Sequence, residues 1–300
     1  MNYALHLLIL FEVYLVVAIG ANIIVGYLGL LTLAHASYFA IGAYVYALTS
    51  MLLGWNFLAA SAAATFAAIL LSLPLSIASW RFRGDFFVMI SLALQVVVFA
   101  ILKNWHDTRA PLGSWTNMTN GDFGLIGVKR PEIFGYVFQS PVAVALLFSV
   151  LVLIVIFVTN RLLTSPWGRL VTAVRDDELA AKGLGKNIRL LKLQGVALAC
   201  GLAGFAGAMF GSYNAFVDPK LAGLDQSTLF LAMIIVGGLG GSIIGPICGA
   251  LVLILLPEAL RYLDLPLAFA AEMRLAIYGI LLILLMQFRP RGIAGKFRME

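Results

Sequence analysis

The sequence predicts an all-α polytopic membrane protein with about 8–9 transmembrane helices, some of them broken or re-entrant. The chain has 300 residues, of which 62% are hydrophobic and 11% are charged, whereas a soluble domain carries about a quarter charged residues. Its mean hydropathy is +1.00. Its apolar runs are continuous and long enough to cross a bilayer. In lipid such runs must form helices, since the strands of a barrel would be short and alternating.

Nine apolar stretches are candidates for membrane spans. They are residues 5–28, 31–53, 57–80, 86–103, 141–162, 193–217, 226–240, 243–260 and 273–288. The stretches 31–53 and 226–260 are short or rich in Gly, Pro and Ser, so either could contain a re-entrant or broken helix. In that case the count falls to eight and the N-terminus changes sides. The whole chain, 1–300, is expected to form one transmembrane domain.

The placement of charge predicts the orientation of the chain. Its net charge is +6, and Lys and Arg cluster at 81–83, at 161–192 with seven residues, and in the tail 289–298 with four. By the positive-inside rule these clusters face the cytoplasm. This places the C-terminus inside and, with nine spans, the N-terminus outside. The first residues lack a basic region and a cleavage site, so we expect a retained helix there rather than a signal peptide.

Several classes of function are disfavoured by the sequence. It contains no G-x-x-x-x-G-K-[ST] motif, so we expect no P-loop nucleotide binding. The three histidines and the two cysteines, Cys200 and Cys248, are not in metal-ligand spacing. We therefore predict no metal site, no bound cofactor and no enzymatic activity. The basic residues flank apolar spans and form no continuous basic face, which argues against nucleic-acid binding.

The largest segment predicted on the cytoplasmic side is 163–192. Pro166 is expected to start a new element there, and the glycines at 183 and 185 are expected to end a surface helix at 170–182. Adjacent alanines at 180 and 181 give this helix a small-residue face for a partner surface. Three acidic residues could pair with a partner's Arg or Lys: Asp176, Asp177 and Glu178. The alternative is a solvated helix held at the membrane by lipid phosphates.

Four polar residues within the predicted spans are candidates to line a translocation path. They are Glu12, Asn22, His35 and Gln95. An ionisable group at the bilayer centre costs about 2.5–3.5 kcal/mol, so such residues usually have a function. The alternatives are hydrogen bonds between helices for Asn22 and Gln95, and for His35 a bracing role at a broken helix.

Glycines form a second group of candidates, either for close helix packing or for hinges. They are Gly26, Gly29, Gly42, Gly204, Gly237, Gly240 and Gly245. Two of their segments echo each other, since Ile23–Gly29 reads IIVGYLG and Ile234–Gly240 reads IIVGGLG. Apolar segments with glycine match easily, so chance is favoured over an internal duplication.

Ordered sequence blocks resemble a known family, the permease subunits of ABC importers for branched-chain amino acids. The blocks are GYLGLLTLAHASYFAIGA at 26–43, RGDFFVMISLAL at 83–94, TNGDFGLIGV at 119–128, ACGLAGFAGA at 199–208 and GGLGGSIIGPICGA at 237–250. The resemblance covers about residues 15–290. It is closer to the LivM-like arm than to the LivH-like arm because of the long loop at 104–140, which is predicted to lie outside.

The segment 163–192 also resembles this family's cytoplasmic loop, which carries an E-x-A-A-x-x-x-G pattern. The matching residues are Ser165, Gly168, Arg169, Ala173, Arg175, Glu178, Ala180, Ala181, Gly185, Asn187 and Lys192. The resemblance implies that this segment is the coupling loop that docks on the ATPase. Its implied coupling residues are Arg169, Arg175, Glu178, Ala180, Ala181 and Gly185. Leu179 departs from the strict spacing of the general ABC loop.

The resemblance implies a permease subunit of an ATP-driven importer in the plasma (inner) membrane. The implied cargo is branched-chain or similar hydrophobic amino acids, although relatives carry other amino acids, urea or short amides. The implied partners are a second homologous permease, two ATP-binding cassette subunits, an external solute-binding protein and the lipid bilayer. One rival is a proton-coupled transporter that uses Glu12 and His35. A membrane-embedded enzyme or scaffold would need clustered reactive groups, which the sequence lacks.

Overall fold

The computed structural model describes residues 2–261 apart from 108, 239, 241 and 242, together with residue 279. Most of the described chain is helical. The helices are α1 (Asn2–Asn22), α2 (His35–Leu52), α3 (Phe57–Leu71), α4 (Leu73–Arg81), α5 (Asp85–Asn104), α6 (Pro141–Thr164), α7 (Pro166–Asp176), α8 (Glu178–Gly183), α9 (Ile188–Asn214), α10 (Leu224–Gly237) and α11 (Ile244–Arg261). The shorter elements are a π-helical turn (Ile23–Tyr27), two 3-10 turns (Gly121–Phe123 and Pro219–Ala222) and the strands β1 (Leu125–Ile126), β2 (Glu132–Ile133), β3 (Tyr136–Val137) and β4 (Phe216–Val217).

Within the described residues, five helical stretches are long and apolar enough to cross a membrane. They are Tyr3–Tyr27, Phe57–Arg81, Asp85–Asn104, Pro141–Thr164 and Ile188–Asn214. Each coincides with a predicted span, so the prediction of a multi-pass helical membrane protein is confirmed. The predicted count of 8–9 crossings is not confirmed, and the predicted span 273–288, apart from residue 279, lies outside the described residues.

In three other predicted spans, 31–53, 226–240 and 243–260, the helix is shorter than a full crossing or begins some residues after the predicted start. The stretch predicted at 31–53 becomes helical only at His35, after an irregular segment at 28–34. Helix α10 has 14 residues and is therefore about 21 Å long, whereas the hydrocarbon core is about 30 Å thick. The apolar part of α11 runs from Ile244 to Leu256. Both regions that the sequence marks as possibly broken are interrupted.

The span predicted at 57–80 is also divided, at the boundary between α3 and α4. Pro74 lies in the first turn of α4, where its missing N–H group is tolerated although it could not continue the hydrogen bonds of α3. The Ser72 hydroxyl instead donates to the Ile69 carbonyl at 2.7 Å. The two helices still form one continuous apolar stretch.

Helix α9 is the central element of the described fold. It packs against α1, α2, α3 and α4, and α1 in turn contacts α6, α10 and α11. Helices α1, α2 and α9 are mostly buried, whereas α3, α5 and α6 present exposed apolar side chains on one face. The most exposed of these are Phe66, Phe86, Met89, Leu146, Leu153 and Phe157. An exposed apolar face on a membrane-spanning helix is expected to contact lipid or another membrane subunit.

Glycines allow α2 and α9 to approach each other at backbone distance. A Cβ atom placed on Gly42 would overlap the carbonyl oxygen of Gly204, and one placed on Gly207 would overlap the carbonyl oxygen of Phe39. Gly204 also faces Ala68 of α3. Small residues at such crossings let helices gain van der Waals contact in lipid, where no hydrophobic force drives them together.

The two ends of the molecule differ in character. The end that carries α7 and α8, which we call the loop end, also carries Arg83, whose guanidinium lies 2.8 Å from the Glu178 carboxylate. The basic clusters at 81–83 and 161–192 therefore share one end, as predicted. The opposite end, which we call the strand end, contains the antiparallel pairs β1–β4 and β2–β3. The first helix begins there, with His6 Nδ1 2.8 Å from the Tyr213 hydroxyl.

The Gly42–Gly204 contact predicts a steep loss of stability on substitution. Gly42→Ala should lower the free energy of unfolding by about 1–3 kcal/mol, since the added methyl group meets backbone that cannot move independently. Gly42→Leu should leave no protein that purifies as a monodisperse species. The measurement is the thermal unfolding of the purified chain in detergent. Gly183→Ala is the control, because a Cβ at Gly183 meets nothing within 4 Å. Equal melting temperatures for Gly42→Ala and the control would contradict the prediction.

Candidate functional site

The segment predicted as one surface helix at 170–182 is instead two helices. Pro166 starts α7, as predicted, but α7 ends at Asp176 and α8 begins at Glu178. Asp177 between them is extended, with φ −152° and ψ 103°, and its carboxylate accepts a hydrogen bond from the Ala180 N–H at 2.9 Å. An aspartate that caps a new helix competes with continuation of the old one. The chain turns out of α8 through Gly185 with φ +72°.

Glu178 lies at the centre of an ion-pair network at the loop end. Its carboxylate accepts from the Lys192 ammonium at 2.9 Å and from the Arg83 guanidinium at 2.8 Å. The Lys192 side chain is only 4% exposed, and its ammonium also donates to the Ser79 carbonyl at 3.0 Å. A buried ammonium requires such partners because its desolvation is costly. The network joins α8 to α9 and to the connection between α4 and α5.

The three acidic residues were expected to pair with a partner protein, but in the structure they form contacts within the chain. Glu178 is bound within the chain, Asp177 caps α8, and Asp176 lies 2.9 Å from the guanidinium of Arg175. All three form intramolecular contacts because basic residues and a free helix N-terminus lie within reach. The surface that remains available to a partner combines exposed basic side chains, such as Lys182 and Lys186, with exposed leucines.

Arg175 connects α7 to the break after α1. Its Nη1 donates to the Gly26 carbonyl at 2.6 Å, and its side chain packs against Gly29, which has φ +68°. A Cβ at Gly29 would lie 2.7 Å from Arg175 Cγ. Gly26 belongs to the π-helical turn, where backbone carbonyls are not all paired within the helix. The guanidinium supplies the missing donor at this point.

The break after α1 meets the break after α10. The Gly240 N–H donates to the Asn22 side chain at 3.2 Å, and a Cβ at Gly26 would lie 2.6 Å from the Gly240 nitrogen. The two segments whose sequences echo each other are therefore in contact near Gly26 and Gly240. Gly237 and Gly245 also approach closely, since a Cβ at Gly237 would overlap the Gly245 carbonyl oxygen.

Two exposed leucines stand out on the loop-end surface. Leu179 is 76% exposed and Leu184 is 78% exposed. Ala180 is exposed whereas Ala181 is buried, so these alanines do not share the small-residue face that was predicted. Arg169 is exposed, with its guanidinium 3.5 Å from the Thr164 carbonyl. Sequence reasoning missed these leucines, which lie among small and basic residues at 179–186.

The polar residues predicted for a path have different hydrogen-bond partners. Glu12 accepts a hydrogen bond from Ser149 of α6, and His35 bonds to the Gly20 backbone. Gly20 lies eight residues after Glu12, which is about 12 Å along the helix axis. Gln95 Nε2 donates to the carbonyls of Ala222 and Gly223, at 3.2 and 2.9 Å.

Serine side chains hold the irregular segment at 28–34 by hydrogen bonds. Sequence reasoning did not identify these serines. The Leu33 N–H donates to the Ser91 hydroxyl at 3.1 Å, and the Ser227 hydroxyl donates to the Leu33 carbonyl. Ser91 and Ser227 are buried. Backbone that leaves helical geometry inside a membrane needs such substitutes for its lost hydrogen bonds. Serines in apolar spans give no clear sequence signal, because they also bond to their own helix.

The Glu178 network predicts an asymmetric response to substitution. Glu178→Gln should lower the free energy of unfolding by about 1.5–3 kcal/mol, because Lys192 loses its charged partner while remaining buried. Asp176→Asn should change it by less than about 1 kcal/mol, since Asp176 belongs to an exposed pair. The measurement is denaturant or thermal unfolding in detergent. Similar effects for the two variants would show that the network does not stabilise the fold.

Comparison with known proteins extends over nearly the whole chain. Residues 3–286 match the model of a family described as branched-chain amino acid transport system / permease component. No solved structure matches the chain significantly.

Three curated relatives are similar to the chain, and all are named LivM. The high-affinity branched-chain amino acid transport system permease protein LivM of Escherichia coli K12 is 30% identical over 308 aligned positions, covering 94% of this chain and 67% of that protein. The protein of the same name from Salmonella typhimurium LT2 is 29% identical with the same coverage. A probable branched-chain amino acid transport permease protein LivM from Methanocaldococcus jannaschii is 25% identical, over 57% of this chain and 52% of that protein. The chain therefore belongs to the permease component family of branched-chain amino acid transport systems, as its sequence blocks predicted.

Proposed function

We propose that this chain is the membrane-spanning permease subunit of an ATP-driven importer for branched-chain or similar hydrophobic amino acids in the plasma (inner) membrane. The observation that carries the proposal is the hydrogen bond from Arg175 to the Gly26 carbonyl. It links a surface loop directly to a break in a membrane helix. ATP hydrolysis is assigned to separate ATPase subunits, because the sequence lacks a P-loop.

The surface for the ATPase would be the exposed part of the coupling loop, 163–192. Leu179 and Leu184 provide apolar side chains, and Arg169 provides an exposed charge. Burying a leucine contributes about 1.5–3 kcal/mol, which suits a helix that docks into a groove. Ala180, which lies beside Leu179 and is exposed, permits close approach.

Movement of this loop would reach the membrane helices by two routes. The Glu178 network connects α8 to α9, the central helix, and to the start of α5. Arg175 connects α7 to the contact between Gly26 and Gly240. A displacement imposed on the loop would therefore shift the breaks after α1 and α10 together. The hinge role proposed for Gly26, Gly29, Gly237, Gly240 and Gly245 rests on this geometry.

The complex would contain a second homologous permease, two ATP-binding cassette subunits and an external solute-binding protein. The chain would form one transmembrane permease domain, with the loop end in the cytoplasm. The outer loop at 104–140 would then face the binding protein, and the N-terminus would lie outside. The basic clusters at the loop end support this orientation.

Amino acids are favoured over urea or short amides as cargo because the three relatives are named for branched-chain amino acid transport. The proton-coupled alternative is less well supported, since Glu12 and His35 have different partners. An intact relay would require them to be joined by a chain of hydrogen bonds, and the described residues provide no direct contact between them.

The docking surface can be tested by changing its apolar character. Leu179→Asp combined with Leu184→Asp should reduce co-purification of the ATPase with the complex by about tenfold or more, because two buried leucines would become buried charges. The measurement is the amount of ATPase recovered with the affinity-tagged permease. Phe134→Asp is the matched control, since Phe134 is 94% exposed at the strand end. Full recovery of ATPase with the double variant would contradict the docking surface.

The Arg175 link can be tested separately from docking. Arg175→Ala should leave the ATPase bound but reduce ATP-driven leucine transport by about tenfold, while hydrolysis continues, because the loop no longer holds the Gly26 carbonyl. Arg175→Lys should restore part of the transport, since an ammonium can still donate to that carbonyl. The measurement is the ratio of transport to ATP hydrolysis in proteoliposomes. An unchanged ratio for Arg175→Ala would exclude the link as a route of coupling.

A further inference from the structure

Helix α10 begins about halfway through the membrane. Gln95 is the eleventh of the 20 residues of α5, so it lies about 15 Å from either end of that helix. Both ends of α5 lie beside charged groups, with Arg83 close to one end and the pair Lys103–Asp122 at the other. The Gln95 amide donates to the Gly223 carbonyl at 2.9 Å, and α10 starts at the next residue.

The first turn of α10 exposes a carboxylate at this depth. Leu224, Asp225 and Thr228 are exposed, whereas Ser227 and Phe230, on the other side of the helix, are buried. Asp225 forms no ion pair with any residue in the part of the chain that the structure describes. A carboxylate facing hydrocarbon at mid-membrane is strongly disfavoured. Among the described residues nothing covers this side of α10, so it faces a water-filled path, another subunit or a part of this chain outside the described residues.

An unsatisfied acceptor lies directly behind this turn. Gln95 is 1% exposed, and its Oε1 has no hydrogen-bond partner among the described residues. Its Nε2 is fixed on the carbonyls of Ala222 and Gly223, so the amide lies at the start of α10. The first N–H groups of a helix have no partner within it, and they carry a partial positive charge.

We propose that the start of α10 is a transient binding site for the zwitterionic head group of an α-amino acid. Asp225 pairs with the ammonium group, and a movement of the turn that uncovers Gln95 Oε1 supplies a second acceptor. The free N–H groups of the first turn bind the carboxylate, as interrupted helices do in other transporters. Leu224, which is 51% exposed, contacts an apolar side chain of the substrate. The inference rests on the proposed function and assigns its substrate-recognition step to named residues.

Asp225 could instead serve only to stabilise helix α10, and an experiment can separate this role from substrate binding. An aspartate in the first turn of a helix stabilises it through the helix dipole. Asp85 occupies the same kind of position on α5 and is exposed, but it lies at the loop end rather than at mid-membrane. Asp85→Asn is therefore a matched control for loss of a first-turn carboxylate.

The experiment measures ATP-driven uptake of radiolabelled leucine by the complete complex in proteoliposomes. Asp225→Asn should lower uptake by about tenfold, the loss expected for a charge-assisted contact, with complex assembly retained. Asp225→Glu should retain part of the uptake, and Asp85→Asn should stay within about twofold of the unchanged complex. Equal uptake by Asp225→Asn and the unchanged complex would overturn the inference while leaving the proposed function standing. Absence of uptake by the unchanged complex would instead refute the proposed function.

A second measurement decides the matter if Asp225→Asn fails to assemble. Thr228→Cys, in a chain whose Cys200 and Cys248 are replaced by alanine, places a thiol one turn from Asp225 on the same face. A charged thiol reagent should label it, because the site opens to water. Leucine delivered by the binding protein should slow that labelling. Labelling unaffected by leucine, or no labelling in a complex that transports leucine, would overturn the inference.

Discussion

Backbone hydrogen bonding inside the bilayer is the constraint on which this architecture depends. A continuous helix satisfies its own N–H and C=O groups, but a chain that interrupts its helices must supply substitutes. Here the substitutes are specific side chains. Arg175 binds the Gly26 carbonyl, Asn22 binds the Gly240 N–H, and Gln95 binds the carbonyls before α10. Each interruption is therefore tied to another element by a hydrogen bond.

The continuous helices and the interrupted helices have different roles in the fold. Helix α9 forms a closely packed centre with α2 through glycine contacts at backbone distance, which leaves little freedom for sliding. Helices α1 and α10 also pack on that centre, since Gly20 of α1 lies against the Ala199 carbonyl of α9 and the ring of Phe230 in α10 contacts that of Phe39 in α2. The ends at which these two helices are interrupted are held by hydrogen bonds. Hydrogen bonds can exchange partners at lower cost than a packed core can be reformed. Motion in this chain is thus expected at the interruptions, with the centre acting as a frame.

The sequence predicted the long apolar helices well and the interruptions in outline. Uniform hydropathy identified α1, α5, α6 and α9, and the glycine-rich and serine-rich stretches were marked as breaks. The division at Asp177 was not predictable, because a capping aspartate and a mid-helix aspartate look alike without their surroundings. The bond between Arg175 and Gly26 joins residues 149 apart in the chain, and no local pattern encodes it. Asp225 was missed by one residue, since apolarity alone placed the predicted span at 226.

The π-helical turn at Ile23–Tyr27 has a consequence for the geometry of the break. In this turn the Leu28 N–H donates to the Ile23 carbonyl at 3.0 Å, so one residue more than in an α-helix is enclosed by the hydrogen bond. Tightening the turn to α-helical geometry would pass that surplus residue along the chain and rotate everything after it by about 100°. Gly26 and Gly29 would then leave Arg175, and the chain before α2 would lengthen by one residue. The turn thus contains one extra residue. A small change in helical register could therefore rotate one face of the break away from its contacts and bring another face towards them.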